Sequence, residues 1–107
     1  MRRVLPIGGI CVLLSCGAQA ADLDGKQLFH QKCAMCHGAV GMGTGLLARR
    51  MKPEVAPLES REDLSAPFVE RAARIGIINM PPITRADVSN AQLASIAQYL
   101  AKGKPSK

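Results

Sequence analysis

Aromatic side chains are scarce in this chain: no Trp, one Tyr and two Phe among 107 residues. That shortage, with no basic stripe to interleave them, argues against a nucleic-acid-binding face. It also leaves little bulk from which to build a hydrophobic core. Long apolar runs are missing as well. The stretch from Val4 to Leu14 covers about 11 residues, short of the roughly 20 that cross a bilayer. There is no internal repeat and no low-complexity block, and no segment alternates well enough to be a strand. The chain therefore reads as one all-helical, loop-rich domain.

What stands at the N-terminus is a leader. Arg2 and Arg3 precede the apolar run, and Gly17-Ala18-Gln19-Ala20-Ala21 follows it, the three parts of a secretory signal peptide. Cleavage is expected after Ala20, so that residues 1–20 are removed and residues 21–107 form the exported, periplasmic domain. An uncleaved membrane anchor is the weaker alternative. Lipid anchorage through Cys16, at the end of Leu13-Leu14-Ser15-Cys16, is another, disfavoured by the bulk of Leu14 and by the better Ala18-Gln19-Ala20 site. Removing the leader lowers the formal charge from +6 to +4 and takes Cys11 and Cys16 out of a total of four cysteines. A mildly basic surface of this kind can steer docking onto an acidic partner. The remaining pair, Cys33 and Cys36, would close too small a loop to staple a fold. About 87 residues remain, few for a self-sufficient core, and a bound apolar group would supply what is missing.

Helix punctuation divides the mature chain. The first helix should begin between Asp22 and Gly25 and run through Leu28, Phe29 and Ala34 to the cysteines. Gly38, Gly41, Gly43 and Gly45 mark a loop, since helix is costly there. Met51 to Pro67, with its prolines and scattered charges, reads as loop with short helical turns. Ser65-Ala66-Pro67 starts a second long helix that ends at Gly76, and Asn79-Met80-Pro81-Pro82 interrupts. Ser89 and Gln92 form a capping box for a last helix from about Asn90 to Lys102, stopped by Gly103.

The chemistry concentrates in Cys33-Ala34-Met35-Cys36-His37, a C-x-x-C-H sequence. Such a motif attaches c-type haem: each thiol adds to one vinyl group, and the next residue supplies the proximal nitrogen ligand of iron. Two rivals remain open at this point. A structural zinc site needs four ligands, and only Cys33, Cys36, His37 and His30 are at hand, all within a few residues. A thiol redox pair belongs in a βαβ setting that is absent here. Export, the lack of other cysteines and the thin core all favour haem. Of the methionines that could ligate the opposite face, Met35 lies between the cysteines and Met42 falls in the proximal loop. Met51 sits in a charged stretch beside Arg49, Arg50 and Lys52 and reads as an exposed turn. Met80 has chain enough to travel round the ring and is stiffened by two prolines, so it is the candidate distal ligand. His30 reads as a surface histidine.

Taken together, these motifs make the mature chain resemble a class I, monohaem cytochrome c of the small bacterial type. Gly25-Lys26-Gln27-Leu28-Phe29 and the haem mount are similar to that family's first helix, Asn79-Met80-Pro81 to its axial-methionine loop, and Leu93 through Leu100 to its closing helix. The resemblance implies a cytochrome c fold, three to five short helices wrapped around one covalent haem c. It also implies that Gly25 and Phe29 pack on Ile96 and Tyr99. One departure stands out: the family's proline after the glycine-rich loop, whose carbonyl accepts the proximal histidine's N–H, is replaced by Leu46. Any other backbone carbonyl could accept that proton, so ligation is expected to survive, with the orientation of the imidazole left open.

The implied function is one-electron transfer, not catalysis. Cys33 and Cys36 would anchor the haem, and His37 and Met80 would ligate its iron. Electrons would pass from a dehydrogenase donor to an oxidase or another cytochrome. Candidate docking charges are Lys32, Arg49, Arg50, Lys52 and Arg85. The alternatives are a dedicated cytochrome subunit of a flavin- or quinoprotein-dependent dehydrogenase or hydroxylase, and a peroxidase-like or gas-sensing haem protein should Met80 dissociate.

Overall fold

The computed structural model describes residues 23–104, together with Gly9, so the expected leader, its cleavage point after Ala20, and Cys16 lie outside the described residues. Five helical segments follow one another: α1 (Gly25–Lys32), α2 (Ala34–His37), α3 (Met42–Leu47), α4 (Ala66–Ile75) and α5 (Asn90–Leu100). Two short 3-10 turns, Pro53–Val55 and Leu58–Ser60, lie between α3 and α4, as the proline-rich stretch suggests. Among the described residues no strand forms; Ile77 and Met80 make a single isolated bridge.

Local chemistry explains most helix ends. The Asp24 carboxylate accepts the Gln27 N–H at 2.8 Å, and the Gln27 side chain accepts the Asp24 N–H at 3.2 Å. Each thereby satisfies a donor that the helix itself leaves free. Ser89 and Gln92 repeat the device at α5. Ser65 caps α4, whose proline sits in the first turn, and Gly76 ends it at φ 80°. Past the end of α5, Lys102 and Gly103 both turn left-handed. The first helix does not run unbroken into the cysteines. It stops at Cys33, where φ falls to −123°, and α2 begins anew.

The glycine-rich segment departs further from expectation. Gly43 and Gly45 lie inside α3 instead of a loop. Each glycine costs roughly 1 kcal/mol against alanine in a helix. Packing of α3 on α2 offsets that cost, helped by the buried Thr44, whose hydroxyl donates to the Gly38 carbonyl at 2.5 Å.

The core lies where α1 crosses α5. Gly25 allows the approach, for a Cβ there would stand 2.7 Å from the Tyr99 Cβ. Phe29 and Ile96 are fully buried in a cluster with Leu28, Leu64, Ala73, Val88, Leu93 and Leu100. Phe29 also meets Tyr99 at 6.1 Å between ring centroids. The contact pattern expected among Gly25, Phe29, Ile96 and Tyr99 is thus present. Burying a side chain such as Phe29 contributes about 1.5–3 kcal/mol. Alongside, α4 packs on α5 through Ala66, Ala97 and Ala101. By contrast α2 and α3, which pack on each other, have no comparable contact with α4. The result is two shells, α2–α3 and α4 with its following loop, joined through the α1–α5 crossing.

Candidate haem site

The first shell carries the cysteines and His37. Cys33 is half-buried against the core, Cys36 is exposed, and both are free thiols. Burial, and then the neighbouring Cys36, push the Cys33 thiol up, so it stays protonated near neutral pH. His37 ends α2 and is half-buried. Burial pushes its imidazole down, which favours the neutral form that binds metals. Gly43 lies against the ring: a Cβ on it would stand 3.1 Å from Cε1 and 3.2 Å from Nδ1.

No backbone carbonyl takes the place of the proline's: His37 Nδ1 is buried and has no hydrogen-bond partner among the described residues. The reason is the helical state of α3. Carbonyls of Thr44, Leu46 and Leu47 point down the chain to the N–H groups of Ala48, Arg49, Arg50 and Met51, not toward the imidazole.

The second shell carries Met80. It is half-buried and packs on the same core cluster as Cys33, so residues far apart in sequence meet one hydrophobic centre. Its backbone closes a tight turn with Ile77, Met80 N–H to Ile77 O at 2.8 Å and Ile77 N–H to Met80 O at 3.1 Å. Within that turn Ile78 has φ 53°, a left-handed conformation that a β-branched residue rarely adopts. Such strain gathers at ligand clamps and active sites. Beyond the two prolines the chain is held by Arg74, whose guanidinium reaches the carbonyls of Ile83 and Val88, each at 3.0 Å. Sequence reasoning missed Arg74. A basic residue in a helix's last turn reads only as a complement to the helix dipole, and its partners lie nine or more positions away.

The remaining candidates fall outside the site. Met35 and Met42 are 91% and 71% exposed. Met51 is half-buried, contrary to the exposed turn expected; only its neighbours Arg49, Arg50 and Lys52 are exposed. His30 pairs with Glu59 at 2.8 Å on the surface. Lys32 and Arg85 are exposed too.

This arrangement fits a haem. Both shells leave large apolar side chains uncovered, Val40 on one and Phe68, Ile75, Ile77 and Ile78 on the other, and a flat apolar group would cover such surface. Zinc fares worse, because among the described residues no three His, Cys, Asp or Glu side chains converge to hold a metal ion. All-helical shells around a C-x-x-C-H turn define a small c-type cytochrome domain. The family model described as "Cytochrome C oxidase, cbb3-type, subunit III" matches residues 20–100, and the chain belongs to that family. Membership carries covalently bound haem c and haem-based electron transfer. No curated protein and no solved structure gives a significant match. No helix among the described residues is long and apolar enough to cross a membrane.

Proposed function

We propose that the chain is an exported, periplasmic one-electron carrier whose haem is anchored by Cys33 and Cys36 and ligated by His37 and Met80. The observation that supports this reading is that Cys33 and Met80, distant in sequence, both pack against one core cluster. When bound, haem iron supplies reversible one-electron chemistry. The chain's own part is to hold and shield it. His37, neutral through burial, offers a nitrogen; Met80 offers a soft thioether that favours the reduced state. Held by both His37 and Met80, the iron would have no coordination site left for a substrate.

The test is spectroscopic. Oxidised holoprotein is expected to show the weak near-infrared band of an iron–methionine bond, and Met80→Ala to lose it. Persistence of the band in Met80→Ala would exclude this ligand. Cys33→Ala or Cys36→Ala is expected to leave the haem on a single thioether, and His37→Ala to prevent a stable holoprotein.

For the partner, the family description names an oxidase subunit, which favours an oxidase as acceptor; the donor of such a carrier would be a dehydrogenase. Co-purification in fixed ratio with a flavin- or quinoprotein dehydrogenase would instead support a dedicated subunit.

A further inference from the structure

The loop that carries Met80 is rooted at both ends in the last turns of α4. At its start, Gly76 N–H donates to Ala72 O at 2.8 Å. At its end, Ile83 commits both backbone groups to α4. Its N–H donates to Ala73 O at 2.7 Å, and its C=O accepts Arg74 Nη1 at 3.0 Å. The other arm of the same guanidinium donates to Val88 O at 3.0 Å and to Asn90 Oδ1 at 2.9 Å. One half-buried side chain thereby ties α4 to both ends of the 83–88 turn and to the first residue of α5. Between Met80 and Ile83 stand only Pro81 and Pro82, whose fixed φ angles leave the backbone little freedom to absorb a shift. A displacement at Ile83 therefore reaches Met80.

We propose that Arg74 is a positioning residue for the sixth iron ligand: by clamping Ile83 it sets how often the Met80 thioether leaves the iron. This rests on Met80 ligation as proposed above. A planar fork is needed, since one arm reaches the Ile83 carbonyl while the other reaches the Val88 carbonyl and the Asn90 amide. A lysine brings the charge as a single point and cannot span them.

Imidazole added to the oxidised holoprotein reads the open population directly, because it binds only where Met80 has left. The apparent dissociation constant is the intrinsic one divided by the open fraction. Arg74→Ala is expected to bind imidazole about tenfold more tightly, reflecting an open state about tenfold more populated. Arg74→Lys should fall between it and wild type, and it carries the test if the alanine variant does not fold. The control is Asp24→Ala, which removes the cap of α1 away from the Met80 loop and should lower the melting temperature while leaving imidazole affinity unchanged. Unchanged affinity in the Arg74 variants, or equal tightening in Asp24→Ala, overturns the proposal. A wild type without the near-infrared band, or a Met80→Ala that keeps it, instead overturns the ligand assignment on which this rests.

Discussion

Two neighbouring residues give the Met80 turn its shape, and they respond oppositely to substitution. Gly76 sits at φ 80° with its Cα facing the turn, so a Cβ there would stand 2.5 Å from the Met80 carbonyl oxygen. Gly76→Ala is expected to cost about 2 kcal/mol in urea unfolding, combining left-handed strain with a backbone clash. Ile78 carries a φ of 53° and has its side chain largely in solvent. Releasing that strain is worth about 1–2 kcal/mol, against roughly 0.5–1 kcal/mol for glycine's greater freedom in the unfolded chain. Ile78→Gly should therefore unfold at a higher urea concentration than wild type; a lower midpoint would show that the turn is unstrained. The cysteine–histidine motif, Met80 and the two prolines were legible because each is a residue type at a fixed spacing. The left-handed Ile78 was not, because nothing about isoleucine announces it.

Among the elements, α3 is the one that contradicts its composition. Two glycines in six residues argue for a loop, yet contact with α2 and the buried Thr44 hydroxyl hold a helix. Its formation removes the carbonyls that could serve His37 Nδ1. Restoring the family's proline should consequently be harmful here: Leu46→Pro inserts a ring into the helix and is expected to cost about 3 kcal/mol, with loss of far-ultraviolet helicity. Equal or greater stability would mean that the loop and carbonyl arrangement is the better one. The 83–88 turn is expected to respond to pH. The Thr84 hydroxyl and N–H, then Lys32, hold the Asp87 carboxyl below its usual range. Its folded value lies below its unfolded one, so the contribution is complete above about pH 4 and is lost as pH falls through the folded value. Asp87→Asn should flatten the acid limb of a stability–pH profile and leave neutral pH differences constant. The Ser89–Gln92 capping box was readable because it joins residues three apart, whereas α3 depends on a partner helix.

For the whole molecule, charge is distributed unevenly. From Gly25 to Pro53 the chain holds Lys26, Lys32, Arg49, Arg50 and Lys52 and no acidic residue, so the basic excess belongs to the half that bears the haem mount. Electron transfer to an anionic oxidant such as hexacyanoferrate should slow as ionic strength rises, since charges beyond about 10 Å are screened at 0.1 M salt. Arg49→Glu with Arg50→Glu should weaken that dependence more than Arg71→Glu, measured by stopped-flow; equal effects would place the field elsewhere. The sequence alone determined the all-helical class and singled out Cys33, Cys36, His37 and Met80 as candidate haem-holding residues, while the pairing of Gly25 and Phe29 with the last helix was what the family resemblance implied. The helix class and the cysteine–histidine motif rest on short spacings, caps and residue chemistry that need no knowledge of the rest of the chain. Only the tertiary structure decided that α3 is helical, that His37 Nδ1 is left without a partner, and that Arg74 grips the far root of the Met80 loop. Those outcomes depend on which carbonyls and helix faces are brought within hydrogen-bond or packing distance across separate elements.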